Sequence, residues 1–288
     1  MLLIPQITRY LDDVYTVYGM SSPASGYELR EELVDEGGEG MCRDASFMLE
    51  YEFTKARAKF YPDGVPAYEE VGDTAFITFD EFEAVPEGVD YYKTAPTADA
   101  TDTMGIIAYS VQRILRENSP IKNVVLDLSC NSGGQADTAV YTIAAFLGRS
   151  SISIQDSFTG ALATSSYSVD TNFDGNFDYM DTLAGKGLNL FCLESGVSFS
   201  CGNLVPSAFK QSSDVSLIGE TSGGSCAVQC MTTAIDSTIR ISSPNRLSFL
   251  KNGSFYDIDR GADPDLYLSK KDSYYDRKKL VDFIDNLL

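Results

Sequence analysis

The sequence has no histidine among its 288 residues, so the side chain most used as a general base near neutral pH, and as a metal ligand, cannot come from this chain. Any catalysis must move protons through another group. Basic residues are also scarce: 22 Lys and Arg stand against 42 Asp and Glu, a formal charge of -20. That excess repels nucleic acid and anionic membranes and leaves nucleic acid out of the expected partners. No apolar run is long enough to cross a membrane; Met1 to Ile7 is apolar but short, and lacks the charged flank and cleavage pattern of a signal peptide. The cysteines, Cys42, Cys130, Cys192, Cys201, Cys226 and Cys230, form no paired Cys-x-x-Cys clusters of the zinc type. Their number neither requires nor excludes disulfides.

What is present is a chain long enough to bury a real core, as one large domain with or without a smaller appendage. Its centre is Asn123 to Gly134. Val124, Val125, Leu126 and Leu128 form a short apolar run with β-branched residues, which predicts a strand buried on both faces of a sheet. Asn131-Ser132-Gly133-Gly134 ends it, and Val140, Ile143, Ala144 and Leu147 begin a helical face. Glycines between a strand and a helix allow close backbone approach and leave free N–H donors.

Other elements follow the same logic. Leu2 to Tyr18 has apolar positions at helical spacing, and Phe47 to Phe60 carries several β-formers and reads as strand. Asp73 to Phe82 predicts a strand, Asp102 to Asn118 a helix closed by Pro120, Gly187 to Leu193 a strand, and Leu204 to Phe209 a helix. Val215 to Ile218 is a further strand. Thr238 to Ser242, Leu247 to Leu250 and Phe255 to Ile258 read as hairpin strands, Asp259 to Asp265 as a tight turn, and Tyr275 to Leu288 as a closing helix. Strand, helix, strand, glycine turn and helix make an α/β unit with a largely parallel sheet. Ser200 falls where a strand delivers it to a helix start, the geometry a nucleophilic serine needs, although Ser, Cys, Gly and Asn are also ordinary cap and turn residues.

Four segments in order carry a family resemblance. Leu126-Asp127-Leu128-Ser129-Cys130-Asn131-Ser132-Gly133-Gly134, Phe199-Ser200-Cys201-Gly202-Asn203, Ile218-Gly219-Glu220-Thr221-Ser222-Gly223-Gly224 and Arg260-Gly261-Ala262-Asp263-Pro264-Asp265 resemble the motifs of the tail-specific (C-terminal-processing) serine proteases and the tricorn protease core. The resemblance covers about residues 73 to 270. It implies a crotonase-like α/β core with a mixed, largely parallel sheet and flanking helices, residues 71–288, after an N-terminal appendage over 1–70. It also implies a peptide or protein substrate, Ser200 as nucleophile, and an oxyanion hole made by the N–H of Cys201 with one from Gly133 or Gly134.

The base does not carry over. Ser225 stands where the processing proteases have lysine, although Gln229 matches their supporting glutamine. The tricorn-like branch uses a histidine supported by an acid near the Pro-Asp signature, which would be Asp257 or Asp259. We expect a missing N-terminal piece to supply the base, with a catalytically silent, peptide-binding or structural chain as the other reading. Two uses of Cys201 are also open, a disulfide to Cys226 bracing the nucleophile turn, or a thiol nucleophile.

Separately, Asp170, Asn172, Asp174, Asn176, Asp178 and Asp181 fall at positions one, three, five, seven, nine and twelve of an EF-hand-like loop with Gly175 at six. A structural Ca2+ within an insertion over 160–186 is therefore expected, against the alternative of an acidic loop built on Asx turns. No cofactor is expected for the chemistry. An extracellular or cell-envelope location is expected, and a trimmed secreted chain would show the same lack of a signal peptide.

Overall fold

The computed structural model describes residues 17–20, 39–225, 227–233 and 237–287, with side chains over 49–225 and 245–287. Its strands are β1 (Val17–Met20), β2 (Tyr68–Val71), β3 (Thr74–Thr78), β4 (Asn123–Asp127), β5 (Ser150–Asp156), β6 (Leu162–Tyr167), β7 (Asn189–Glu194), β8 (Val215–Gly219), β9 (Ala227–Thr233), β10 (Ser237–Ser248), β11 (Leu250–Lys251), β12 (Ser254–Phe255) and β13 (Leu266–Tyr267). The helices are α1 (Glu39–Phe60), α2 (Thr103–Ile114), α3 (Ala136–Leu147), α4 (Cys201–Phe209), α5 (Asp272–Tyr275) and α6 (Arg277–Asp285).

Two compact units emerge. The larger comprises 52–153, 164–226 and 248–288, and the smaller 1–51, 154–163 and 227–247. In the smaller one β10 pairs antiparallel with β1 and with β9, and its register against β9 shifts between Ser242 and Arg246.

The larger unit holds a six-stranded sheet in the order β13-β8-β7-β4-β3-β2. All pairs are parallel except β2 with β3. Every residue of β3 and β4 is buried, as the unbroken apolar runs require of strands covered on both faces. Asp127 pairs with Leu193, and Leu193 with Ile218, so β4, β7 and β8 end level with one another. The turns that follow them consequently leave from one edge. Helix α2 starts at Asp102, whose Oδ1 accepts the Gly105 N–H at 3.0 Å, and buries Ile106, Ile107, Val111 and Ile114.

The other flank is held by a buried ion pair. Arg277, 4 % exposed, donates to Asp127 Oδ2 at 2.7 Å, Thr78 Oγ1 at 3.1 Å, the Tyr274 carbonyl at 2.9 Å and Glu69 Oε1 at 3.1 Å, and its guanidinium lies 4.4 Å from the Phe76 ring centroid. Burying a guanidinium is tolerable only when its donors are satisfied in this way.

Three sequence expectations are corrected. Phe47 to Phe60 is helix, not strand: Phe53 and Ala56 recur at helical spacing and are both buried, so packing overrides the strand preference of the aromatics. Val17 to Tyr18, the end of the expected N-terminal helical stretch, is strand; the rest of that stretch lies outside the described residues. The closing helix is broken at Asp276 (φ -76°, ψ 77°), which caps α6 by accepting the Lys279 N–H. In addition β11 and β12 join through Asn252 and Gly253, both at positive φ, a two-residue turn of the kind Asn-Gly favours.

Candidate active site

The turn after β4 is organised by Asn131, which is fully buried. Its Nδ2 donates to the Phe79 carbonyl at 3.1 Å, its Oδ1 accepts the Gly133 N–H at 3.0 Å, and its carbonyl accepts the Phe199 N–H at 3.0 Å. One residue therefore ties three segments together. Two serine hydroxyls add to the join: Ser195 Oγ donates to the Ser129 carbonyl at 2.6 Å and Ser198 Oγ to the Leu128 carbonyl at 2.7 Å.

Ser200 stands immediately before α4 with φ 56° and ψ -117°. A non-glycine residue there is strained by roughly 1–3 kcal/mol, a cost borne only where surrounding bonds fix the turn. Those bonds are present: the Ser200 N–H donates to the Gly224 carbonyl at 3.1 Å, the Gly223 N–H to the Ser198 carbonyl at 2.7 Å, and the Leu204 N–H to the Ser200 carbonyl at 2.8 Å. Gly133, at φ 113°, lies against this residue; a Cβ there would come within 2.7 Å of Ser200 Cβ and 3.2 Å of its Oγ. Only glycine fits that contact.

The third turn is clamped by Asn203, which sequence reasoning passed over as a motif letter. Buried completely, it donates to the Ser225 carbonyl at 3.1 Å and the Ile258 carbonyl at 2.8 Å, and accepts from Ser222 Oγ at 2.8 Å and Ser207 Oγ at 3.2 Å. Every bonding position of its amide is used. The Ser225 N–H in turn donates to the Asp259 carbonyl at 3.1 Å.

Two amides are left open. The Gly133 N–H is taken by Asn131, whereas among the described residues neither the Gly134 nor the Cys201 N–H meets an acceptor. Of the two glycines held open by the sequence, Gly134 thus has the free donor. The Ser200 hydroxyl makes no capping bond to α4, and it lies within hydrogen-bonding reach of the Cys201 thiol.

Cys201 is a free thiol. Its S–H donates to the Gly134 carbonyl at 3.2 Å, and burial pushes the thiol up to about 12, which removes it as a thiolate nucleophile near neutral pH. Cys226 lies outside the described residues. Ser225 is buried, at φ 75°, with its hydroxyl unpartnered. Asp257 and Asp259 are exposed, and Asp257 Oδ1 accepts the Asp259 N–H at 2.9 Å. Gln229 lies on β9 of the smaller unit, opposite Ser242, with its side chain outside those described.

No motif marks Glu194, the last residue of β7. Its side chain is fully buried with neither carboxyl oxygen hydrogen-bonded, and desolvation raises it to about 9, so it is protonated at neutral pH.

In the 170–181 loop, Asp170 accepts the Asp174 and Gly175 N–H groups and the Tyr92 hydroxyl. Asp181 accepts the Thr171, Asn172 and Asp178 N–H groups, and Asp174 that of Asn176. Asp178 caps the short turn by accepting the Met180 N–H, and Asn172 Oδ1 accepts the Asp174 N–H. The carboxylates hold backbone amides, and among the described residues no three acidic or cysteine side chains gather as a metal-binding group.

A serine at a strained strand-to-helix bend thus stands beside two open amides at the carboxyl edge of a largely parallel sheet. The sequence profile of Peptidase family S41 matches residues 74–268, and the chain belongs to that family. No curated protein matches it. Among solved structures it resembles a lipoprotein from Streptococcus agalactiae at 16% identity and TM-score 0.51, over 82% of this chain and 75% of that one. A candidate S41 protease from Bacteroides fragilis matches at 13% identity and TM-score 0.51, over 77% and 57% of the two chains. A candidate peptidase from Parabacteroides merdae matches at 12% and 0.51, over 75% and 62%. At such identities these likenesses establish the fold alone, and the chain spans less than two thirds of the latter two proteins.

Proposed function

We propose that this chain is a serine peptidase core that cleaves peptide bonds through an acyl-enzyme on Ser200. In this reading Ser200 Oγ attacks the scissile carbonyl carbon and loses its proton to a base. The carbonyl oxygen becomes an oxyanion held by the Gly134 and Cys201 N–H groups, which stabilise charge present only in the tetrahedral state. Collapse breaks the C–N bond and releases the amine, which takes up a proton, and water then frees the acid and restores the hydroxyl. The observation that carries the proposal is the strained Ser200 bend with its neighbouring open amides.

The base is the unfilled role. No imidazole exists in this chain, and a serine without a base is a poor nucleophile, so the chain by itself should turn over slowly or not at all. A base from outside the described residues, with Asp257 or Asp259 as supporting acid, completes the proposal; the roles of Ser225 and Gln229 rest on the sequence motifs alone. The tail-specific and tricorn-like mode, the crotonase-like name for the core, and an extracellular or cell-envelope setting belong to the same reading and rest on the sequence motifs. So does a structural Ca2+ at 170–181, to which we assign no step in the chemistry. The second reading, a peptide-binding protein on the same fold, is favoured by the missing histidine.

Fluorophosphonate labelling, with and without added imidazole, tests the first reading. A single adduct lost in Ser200→Ala supports the peptidase; no adduct under either condition supports the binding protein.

A further inference from the structure

The buried polar groups behind the Ser200 turn form a chain that the proposed chemistry does not use. Glu194 closes β7 with its side chain wholly buried, and neither carboxyl oxygen makes a hydrogen bond. The Gly223 N–H donates to the Ser198 carbonyl at 2.7 Å, which folds the third turn over the end of β7 and sets the Ser222 hydroxyl beside that carboxyl. Ser222 Oγ is already committed twice: it accepts the Ala262 N–H at 2.7 Å and donates its one proton to Asn203 Oδ1 at 2.8 Å. The direction of that second bond is fixed, because Asn203 Nδ2 is spent on the Ser225 and Ile258 carbonyls and only its oxygen can face Ser222. Ser222 Oγ therefore has one lone pair left and no proton to give.

A carboxylic acid suits that lone pair and a carboxylate does not. Protonated, Glu194 can donate to Ser222 Oγ and leave the bond to Asn203 in place. Ionised, it sets a negative charge against the Ser222 oxygen, and the proton that would answer it is the one holding Asn203. The surrounding charges favour the acid. Asp263 and Asp265, ahead of β13, face it, and Lys210, past α4, faces it too but is paired with Asp265. At the ends of β4 and β8, Asp127 is paired with Arg277 and Glu220 with Lys271. Its titratable neighbours Tyr274 of α5 and Cys192 of β7 are kept neutral by burial. We infer that Glu194 is a positioning residue: its proton fixes the hydrogen-bond chain from Glu194 through Ser222 to Asn203, and Asn203 holds the third turn, whose Gly224 carbonyl takes the Ser200 N–H. The inference deepens the reading of the Ser200 bend as the reactive site and rests on it; Glu194 acts only through Ser222 and Asn203.

The test is carbon-13 spectroscopy of the full chain, titrated from about pH 7 to about pH 10.5 and read at the Glu194 carboxyl, the Asn203 side-chain amide and the Ser225 and Ser200 carbonyls. The Glu194 carboxyl should titrate with a midpoint of about 9, and the Asn203, Ser225 and Ser200 signals should move with that same midpoint. Glu194→Gln, whose amide N–H donates to Ser222 as the acid does, should hold these signals at their neutral-pH positions throughout. Ser222→Ala should leave Glu194 titrating while uncoupling Asn203 from it. A purely structural side chain would not tie the Ser200 turn to one titration. A Glu194 midpoint in the ordinary carboxylate range, a midpoint of about 9 with Asn203 and Ser225 stationary, movement that persists in Glu194→Gln, or coupling that survives Ser222→Ala would each overturn the inference. If a variant does not fold, the wild-type titration decides. These spectra need no adduct at Ser200, so failure of the peptidase reading, which fluorophosphonate labelling decides, is separable from failure of this one.

Discussion

Ser200 holds a backbone shape that glycine adopts freely and serine does not. Ser200→Gly should therefore raise stability by about 1 kcal/mol while removing any fluorophosphonate adduct, a pairing of effects readable by denaturant melts and mass spectrometry. Gly133→Ala acts oppositely, because its methyl would meet Ser200 Cβ at 2.7 Å; the site should lose labelling, and stability should fall. Glu194 gives a prediction in pH. Its carboxyl is raised from 4.5 to about 9 by burial, so the folded state holds a proton that the unfolded chain has released. The stability tied to that proton is complete below pH 4.5 and is lost as pH rises through about 9. Relative to Glu194→Gln, wild type should lose up to about 1.4 kcal/mol per pH unit across that window, and parallel curves would contradict the assignment. Of these residues the sequence exposed Ser200, Cys201 and the two glycines, because their types and order are unusual. Glu194, Asn131 and Asn203 stayed hidden, because what marks them is the neighbours that folding brings from far along the chain.

Among the elements, α6 matters through one side chain. Arg277 covers Asp127 at the end of β4, four residues before Asn131 and its glycine turn. Arg277→Ala should destabilise by about 3–5 kcal/mol by stranding a buried carboxylate, and Asp127→Asn added to it should recover much of that loss. If the double variant is worse than the single by a full additive amount, the pair is not coupled. The 170–181 loop has its own test: Ca2+ should raise the melting temperature of wild type, and that rise should vanish in Asp170→Ala with Asp174→Ala. Strands β3, β4, β7 and β8 were legible because a parallel strand covered on both faces is one apolar run. Helix α1 was not, since Phe47, Tyr51 and Phe53 satisfy strand preference while only tertiary packing picks the helical period. The expected strands Leu247 to Leu250 and Phe255 to Ile258 differ from the observed ones, since Leu247 and Ser248 belong to β10 and the short pair β11 and β12 closes tightly around the Asn252-Gly253 turn.

For the whole molecule, the order β13-β8-β7-β4-β3-β2 explains why motifs separated by some seventy residues act together: parallel strands in register end level, and their following turns are then neighbours. A sequence shows the turns one at a time; the register that assembles them is a property of the sheet. The central claim is that Ser200 Oγ and the amides of Gly134 and Cys201 surround one carbonyl position. A crystal structure of the chain soaked with a peptide boronic acid examines it most directly. The account predicts boron bonded to Ser200 Oγ with a boronate oxygen within hydrogen-bond distance of both amides; boron elsewhere, or that oxygen turned away from amides already bonded within the protein, would contradict it.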